Sequence, residues 1–182
     1  MAETYVLEPD YARFEDLLTP SEIAMRNRVR SFVQDRIQPR IADCWESGTF
    51  PFDIVPGLAA LGVLDELPPV IAGLVAFELE RADAGVRSLV SVHGHLAQAA
   101  IRLFGTPDQQ ARYLHRMARG ELLGAFSLTE PLHGSDPSGL EVTARPVPGG
   151  FRLDGHKRWA TNATHAGVTV DRKSTRLNSS HV

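Results

Sequence analysis

The sequence predicts an α+β protein in which a helical domain is followed by a domain of strands. Up to about residue 121, apolar residues recur at helical spacing, and the segments that carry them begin at capping residues and end at glycine or proline. From Leu122 onward, short runs with β-branched and aromatic residues alternate with turns rich in glycine and proline. This change of pattern divides the chain into a helical domain, residues 1–121, and a β domain, residues 122–170.

Capping motifs and prolines define the expected helices. The first begins at the capping box Thr19-Pro-Ser-Glu22 and is expected over residues 20–37, with a shorter piece continuing past Pro39 to Trp45. Further helices are expected over residues 51–61, from Pro68-Pro69 to a break at Ala84-Gly85, over 87–104, and from Thr106 to about Ala118. In the helix that starts at Pro68-Pro69, we expect Ile71, Leu74, Val75 and Leu79 to be buried and Glu78, Glu80 and Arg81 to face outward.

The expected strands cover residues 123–128, 140–146, 151–153 and 156–161. Pro148-Gly-Gly150 is typical of the turn between the second and third strands. Asp154-Gly155 indicates a two-residue hairpin turn, so a fourth strand should follow directly. Alternation along that strand would place Trp159 and Thr161 on one face.

Composition excludes two classes of partner. Of the 182 residues, 43% are apolar and 23% are charged, which is ordinary for a globular protein. The net charge of −3 provides no basic surface for nucleic acid, and no nucleic-acid partner is expected. The longest apolar run, Val70 to Phe77, is too short to span a bilayer, so no membrane span is expected.

Cysteine and histidine usage indicates no metal site and no disulfide. Cys44 is the one cysteine in the chain, and none of the seven histidines belongs to a ligand motif. His93 and His95 are interpreted as packing or surface residues, because residues two apart on a helix face different ways. The acidic start of the sequence lacks the features of a targeting presequence, so a cytoplasmic location is expected.

Residues 124–136 form the first candidate binding segment. An apolar run from Phe126 to Thr129 leads into Glu130-Pro131, which ends a strand, and a Gly-Ser-Asp turn follows. Such a turn can direct backbone N–H groups and the Thr129 and Ser135 hydroxyls at one flat polar ligand, although ordinary loops contain the same residue types. Because Glu130 precedes a proline in a turn, its carboxylate is expected to cap backbone N–H groups rather than act as a general base.

A second segment makes the interpretation of residues 124–136 more specific. The pattern L-T-E-P-x-x-G-S-D runs from Leu128 to Asp136, and the residues of G-x-K-x-W-I-T-N are matched at Gly155, Lys157, Trp159, Thr161 and Asn162, with Ala160 in place of isoleucine. As a pair, the two segments resemble the flavin-binding middle domain of the acyl-CoA dehydrogenases. The resemblance extends over about residues 15–170.

The resemblance implies a fold and a cofactor. The family places a helical bundle before a β-barrel or sandwich domain and a second helical bundle after it, so this chain is expected to have an incomplete β domain and to lack the C-terminal helical domain. The implied cofactor is FAD, whose isoalloxazine ring would be lined by the strand segment and covered by the Trp159 segment. The implied FAD-binding residues are Phe126, Ser127, Leu128, Thr129, Gly134, Ser135, Trp159, Ala160 and Thr161.

The resemblance also implies a reaction for the whole protein, the α,β-dehydrogenation of an acyl-CoA thioester. A glutamate removes the α proton while the β hydrogen leaves as hydride to the flavin. In the family this glutamate lies in the C-terminal helical domain, so the present chain is expected to carry no catalytic base and to be inactive by itself. An acceptor like the electron-transfer flavoprotein and a homotetramer are implied for the full-length enzyme.

A third segment points to one branch of the family. Residues 80–88 read E-R-A-D-A-G-V-R-S and resemble the E-R-x-D-x-G-x-R-S pattern of glutaryl-CoA dehydrogenases, which implies that Arg87 and Ser88, together with Ser135, contact the substrate. An arginine at a predicted helix N-terminus is disfavoured by the helix dipole, and an anionic ligand would offset that cost. The alternative is a solvated arginine. The loop from Leu64 to Pro68 is shorter than in relatives and lacks a Y-G-G sequence, which leaves the acyl group open.

Two other functions remain open from the sequence. An acyl-CoA oxidase or a dehydrogenase for a simple acyl chain would share the fold. A helical interaction module with a degenerate β extension would have no need of Thr129, Ser135 and Trp159 together.

The last twelve residues, 171–182, are expected to be non-native. They show no periodicity and no relation to the family, and a suitable back-translation resembles a common sequencing adapter. The alternative is a polar, disordered terminus.

Overall fold

The computed structural model describes residues 13–172 and confirms the predicted order of helices followed by strands. The helices are α1 (Pro20–Arg36), α2 (Gln38–Ser47), α3 (Val55–Leu61), α4 (Pro69–Ala82), α5 (Ala84–Ser91), α6 (Ala99–Phe104) and α7 (Pro107–Ala118). A π-helical turn, Val92–Gln98, joins α5 to α6, and short 3-10 turns cover Phe14–Leu17, Phe52–Ile54 and Pro137–Gly139. The strands are β1 (Gly124–Ser127), β2 (Thr143–Val147), β3 (Gly150–Asp154) and β4 (Val168–Asp171).

Two parts of the chain lie outside the described residues. They are residues 1–12 and residues 173–182, so most of the segment expected to be non-native belongs to them. Within the described part, no helix is long and apolar enough to cross a bilayer.

Capping boxes start α1 and α7, as the sequence predicts. At α1, the Thr19 hydroxyl accepts a hydrogen bond from the Glu22 N–H, and the Glu22 carboxylate accepts one from the Thr19 N–H at 2.7 Å. Thr106 and Gln109 repeat this arrangement at α7. Each box satisfies two N–H groups that have no partner inside the helix, and each cap is worth about 1 kcal/mol.

The helical core is built mainly from α1, α3, α4 and α5. Val29 and Val33 of α1, Leu79 of α4 and Leu89 of α5 are all at most 2% exposed and belong to one apolar cluster. The segment between α3 and α4 closes the cluster with Val63 and Leu64. The apolar stripes of these helices therefore face one another, which is the arrangement that their spacing predicts.

Glu78 contradicts the prediction that it faces outward, since its side chain is 1% exposed. Its carboxylate accepts hydrogen bonds from the Arg30 guanidinium at 2.9 and 3.2 Å and from Arg81 at 3.3 Å. Because α4 packs against both α1 and α5, its buried surface is wider than the apolar stripe alone. The two guanidinium groups provide the charge and the donors that allow a carboxylate to be buried there.

The predicted break at Ala84-Gly85 lies one residue earlier, at Asp83. This residue is extended (φ −166°, ψ 131°), and its carboxylate accepts hydrogen bonds from the Val86 N–H at 2.9 Å and from the Trp45 indole at 2.7 Å. Asp83 is therefore the N-cap of α5, and Ala84 and Gly85 are its first two residues.

The helix predicted over residues 87–104 contains the π-helical turn. In a π-helix the backbone hydrogen bonds join residues five apart, so His93 and Gln98 come to the same side of the turn. Both side chains are fully buried: His93 bonds the Met117 carbonyl, and Gln98 donates to the Leu64 carbonyl. The turn thus directs two polar side chains into the interior.

The strands form two separate pairs within the described residues. β2 and β3 pair in antiparallel fashion through the predicted turn, where Gly149 has a φ of 83°. β1 pairs with β4 in parallel, with Gly124 opposite Val168 and Ser127 opposite Asp171. The crossover between them contains β2, β3 and the segment that carries the second motif.

The strand predicted over residues 156–161 is wrong. Trp159 and Asn162 have φ values of 58° and 69°, in the left-handed region that interrupts any strand, and the segment leads instead to the unpredicted strand β4. Gly155 does end the hairpin strand β3, with a φ of 139°. Trp159 and Thr161 therefore belong to an irregular loop, whose path depends on contacts with distant residues.

We expect the substitution Glu78→Gln to lower the free energy of unfolding by about 2–3 kcal/mol, because it leaves two guanidinium groups beside a neutral amide in a buried site. Urea-induced unfolding followed by circular dichroism measures the change. The matched control is Glu80→Gln, since the Glu80 side chain is 49% exposed and its ion pair with Arg87 should contribute about 1 kcal/mol or less. Equal losses in the two variants would contradict the role given to Glu78.

Candidate functional site

His93 fixes the position of β1 against the π-helical turn. Its Nδ1 accepts a hydrogen bond from the Gly124 N–H at 3.0 Å, so its Nε2 carries the proton and donates to the Met117 carbonyl at 3.1 Å. Burial lowers the pKa of His93, although the Met117 carbonyl and the Asp65 charge act in the opposite direction. His93 is thus a neutral packing residue, as the sequence predicts.

An open groove of about 230 Å³ lies where the end of β1 meets the π-helical turn. It combines aliphatic side chains with the rings of Phe126 and Trp159, and it contains the hydroxyls of Thr129 and Thr161. Apolar walls with a few polar groups are typical of sites for flat organic ligands. The lining residues are Val92, Leu96, Phe126, Leu128, Thr129, Arg158, Trp159 and Thr161.

Trp159 forms an exposed wall of this groove. Its side chain is 85% exposed, and its backbone lies in the left-handed region, which is strained for a bulky residue. The Arg158 N–H donates to the Thr129 carbonyl at 2.8 Å, which connects the irregular loop that carries Trp159 to the beginning of the first motif. A large ring that is both strained and exposed is more typical of a binding surface than of packing.

A buried ion pair joins the two motif segments next to the groove. The Lys157 ammonium lies 2.9 Å from Glu130 Oε1 and donates to the Leu128 carbonyl at 3.0 Å. The Glu130 carboxylate also accepts hydrogen bonds from the backbone N–H groups of Glu141 at 2.5 Å and Val142 at 3.0 Å. These bonds confirm that Glu130 caps backbone N–H groups.

The surroundings of Glu130 make it unsuitable as a general base. Burial by itself would raise the pKa of its carboxyl, but the Glu141 N–H, the Lys157 ammonium and the Val142 N–H together lower the pKa to about 2. Such a carboxylate has little tendency to accept a proton near neutral pH. Its function is therefore to hold the two segments together.

Asp171, at the end of β4, is half-buried, and one of its carboxylate oxygens is buried without such support. Its Oδ2 has no hydrogen-bond partner among the described residues. Burial raises the pKa of Asp171; the Lys157 ammonium opposes this effect, whereas the Glu130 charge adds to it. A carboxylate whose pKa is raised on folding contributes less stability at neutral pH than in acid.

The structure brings five of the nine predicted FAD-binding residues together in the groove: Phe126, Leu128, Thr129, Trp159 and Thr161. Ser127 alternates to the buried face of β1, and Ala160 is half-buried beside Trp159. Gly134 and Ser135 lie on an exposed turn and do not line the groove. The role of all nine residues stays a prediction.

Sequence reasoning missed three residues that line the groove. Val92 and Leu96 belong to the π-helical turn, about thirty residues before the first motif, and Arg158 lies between two motif positions. Their four-residue spacing puts Val92 and Leu96 on one side of a helix, but nothing in that spacing shows that β1 would pack there.

The predicted substrate-binding residues Arg87 and Ser88 do not line the groove. Arg87 lines a small cavity of about 10 Å³, together with Ser91 and His95, and its guanidinium pairs with Glu80. Val63 and Leu67, which lie between α3 and α4, also line this cavity, which has room for about one water molecule. Ser88 is half-buried and does not line it.

Comparison with known proteins identifies the family. A model of the acyl-CoA dehydrogenase N-terminal domain matches residues 19–121, and a model of the acyl-CoA dehydrogenase middle domain matches residues 125–174. The chain belongs to the acyl-CoA dehydrogenase family. The groove thus lies where the N-terminal and middle domains of the family meet. Within residues 13–172, no group of three or more His, Cys, Asp or Glu side chains is placed to hold a metal ion.

Several acyl-CoA dehydrogenases are similar over most of this chain. An acyl-CoA dehydrogenase of Bacillus subtilis is 31% identical over 163 residues, which are 84% of this chain and 43% of that protein. A crystal structure of glutaryl-CoA dehydrogenase from Mycobacterium smegmatis is 40% identical, with a TM-score of 0.85, and covers 89% of this chain and 44% of its own. Another, in complex with FADH2, is 36% identical, with a TM-score of 0.83, over 87% of this chain and 44% of its own. The chain thus spans less than half the length of these relatives.

The pKa of Glu130 predicts a loss of stability in acid. Because the pKa is about 2 in the folded acyl-CoA dehydrogenase chain and near 4.5 when unfolded, the Glu130 contribution is fully present above pH 4.5 and is lost as the pH falls toward 2. We expect Glu130→Gln to lower the free energy of unfolding by about 2–3 kcal/mol at pH 7, by roughly half as much at pH 3, and by little at pH 2. Urea-induced unfolding of both proteins at several pH values measures this difference, and a difference independent of pH would contradict the assignment.

Proposed function

We propose that this chain is the N-terminal part of an FAD-dependent acyl-CoA dehydrogenase and that the isoalloxazine ring of FAD binds in the groove between β1, the π-helical turn and the Trp159 loop. The observation that carries the proposal is that residues from both motif segments, separated by an intervening hairpin, meet in this one groove. The FADH2 complex of the Mycobacterium smegmatis relative supports the choice of ligand.

The groove has the chemistry that a flavin ring needs. Phe126 and Leu128 offer apolar surface to the ring, and Trp159 excludes water from one side of it. The hydroxyls of Thr129 and Thr161 can donate hydrogen bonds to ring nitrogen or carbonyl atoms without adding charge. When bound, FAD supplies the acceptor for the hydrogen that leaves the β carbon as hydride.

The proton that leaves the α carbon needs an acceptor of its own. Glu130 is unsuitable because its carboxylate is occupied by three donors, and the described residues that line the groove include no carboxylate. We therefore propose that the acceptor is a glutamate of the full-length enzyme outside the described residues, as the resemblance implies. The present residues would bind and orient the flavin, keep water away from it and hold the thioester beside it.

For the substrate we propose a short dicarboxylic acyl-CoA of the glutaryl type. Arg87 is the cationic residue on the wall of the small cavity, and its charge is balanced by Glu80 until an anionic ligand competes for it. The resemblance of residues 80–88 to the glutaryl-CoA dehydrogenase pattern supports this choice of acyl group. A dehydrogenase for a simple acyl chain is the alternative if Arg87 serves only its ion pair.

Two properties of the full-length enzyme complete the proposal. An acceptor like the electron-transfer flavoprotein would reoxidise the flavin, whereas an acyl-CoA oxidase on the same fold would use oxygen. A homotetramer is proposed as the assembly, because the family is built that way.

Titration with FAD tests the flavin site directly, because the chain has two tryptophans and one of them lines the groove. In a Trp45→Phe chain, the fluorescence of Trp159 should be quenched saturably by FAD, since a ring bound against the indole is an efficient quencher. The matched control is Trp159→Phe, in which Trp45 remains and should show only the weak, non-saturating decrease that free tryptophan shows. Equal quenching of the two chains would contradict the proposed site.

Substitutions of Arg87 test the proposed substrate. They are made in a chimera that joins residues 1–170 to the remaining domains of the Mycobacterium smegmatis glutaryl-CoA dehydrogenase. We expect Arg87→Ala to lower kcat/KM for glutaryl-CoA by about 30-fold to several thousand-fold, the cost of removing one partner of a desolvated charge pair. Butyryl-CoA carries no second carboxylate, so its kcat/KM should change little in a dye-coupled assay. Arg87→Lys should recover part of the activity, because lysine keeps the charge without the bidentate geometry.

A parallel loss for both substrates would show that Arg87 is structural and would remove the glutaryl assignment. No change for either substrate would show that it is a surface residue.

A further inference from the structure

The Trp159 loop holds a strained residue whose ring is not held by burial. A bulky side chain at a φ of 58° is an outlier in the left-handed region, and 85% exposure leaves the indole with little packing to offset the strain. A conformation of this kind persists only when the neighbouring residues fix it. The structure shows two such fixed points, one on each side of Trp159.

Lys157 provides the first fixed point, two residues before Trp159. Its side chain is 13% exposed, and its ammonium uses its donors on the Leu128 carbonyl, the Glu130 carboxylate and the Arg172 carbonyl. The next peptide in the loop is held as well, by the bond from the Arg158 N–H to the Thr129 carbonyl. The start of the loop is therefore bound to the end of β1 and to the residue that follows β4.

Asn162 provides the second fixed point, three residues after Trp159. Its Nδ2 donates to the Leu89 carbonyl of α5 and to the Gly124 carbonyl of β1, both at 3.1 Å. One amide group thus binds the helical domain and the first strand together. Asparagine also tolerates the left-handed backbone (φ 69°) that the loop requires here.

We propose that Lys157 and Asn162 are positioning residues that clamp the Trp159 loop at both ends, so that the indole stands at the groove before any ligand binds. The proposal rests on the proposed flavin site for its functional meaning. Preorganisation of this kind strengthens binding, because the ordering of the loop and the ring is completed during folding rather than during association. The clamp therefore increases the affinity for a planar ligand. It also restricts the motion of the Trp159 indole, which can be measured without the ligand.

The experiment measures the local motion of Trp159 in the 182-residue chain with Trp45→Phe, where Trp159 is the remaining tryptophan. Time-resolved fluorescence anisotropy separates fast motion of the indole from rotation of the whole chain. Lys157→Met removes the ammonium at similar length, and Asn162→Asp removes both amide donors while keeping the shape and the tolerance for the left-handed backbone. Each variant should increase the amplitude of the fast component and weaken the saturable quenching by FAD by roughly twofold to tenfold.

The matched control is Arg30→Met, which removes a cation from the buried pair with Glu78, in the helical domain. It should lower the thermal midpoint by a similar amount and leave the fast component of Trp159 unchanged, so a general loss of stability is distinguished from a loss of the clamp. Lys157→Arg, which keeps a cation at the clamp, should restore most of the wild-type anisotropy.

The outcomes separate the clamp from the flavin site. If the fast component is the same in the parent chain, Lys157→Met and Asn162→Asp, or if it rises equally in Arg30→Met, the clamp is wrong whatever FAD does. If FAD does not quench Trp159 in the parent chain but the two variants still free the indole, the clamp stands and the flavin proposal fails.

Discussion

The position of the candidate site depends on one close approach, that of β1 to the π-helical turn. A side chain on Gly124 would place its Cβ 2.5 Å from the Met117 methyl group and 2.8 Å from the Ala97 Cβ, so only glycine allows the strand to lie this near. His93 then accepts the Gly124 N–H, which would otherwise be buried without a partner. The floor of the groove on β1 and its wall on the π-helical turn are brought together by this contact.

In each motif, some residues line the groove and others hold the two segments in place. Thr129 and Trp159 line the groove, while their neighbours Glu130 and Lys157 form the buried ion pair that holds the segments in register. Such a pair is costly to bury, and here it is stabilised because two backbone N–H groups and two backbone carbonyls complete its hydrogen bonds. Asp171 lacks such hydrogen bonds: its buried oxygen has no donor among the described residues, and its pKa is raised, whereas the pKa of Glu130 is lowered.

Sequence patterns predicted the helices well because their signals are local. The capping box at Thr19, the glycine at position 62 that ends α3 and the apolar spacing of α1 are all satisfied within a few residues of chain. The same local rules failed at Glu78, which is buried because arginines on two sides pair with it, and at residues 156–161, where alternation suggested a strand. In both cases contacts with distant residues overrode a local pattern.

For the site, the sequence by itself determined the chemical types: a strand ending in threonine and a capping glutamate, a lysine and a tryptophan two residues apart, and an asparagine after them. The sequence also indicated the protein family, because these residues and their spacing resemble the motifs of the acyl-CoA dehydrogenases. Tertiary structure alone decided that Val92, Leu96 and Arg158 join the groove, that Lys157 pairs with Glu130, and that Trp159 stands strained and exposed. The physical reason is that these features arise from contacts between residues that are far apart in the sequence, and their energies enter only when the chain has folded.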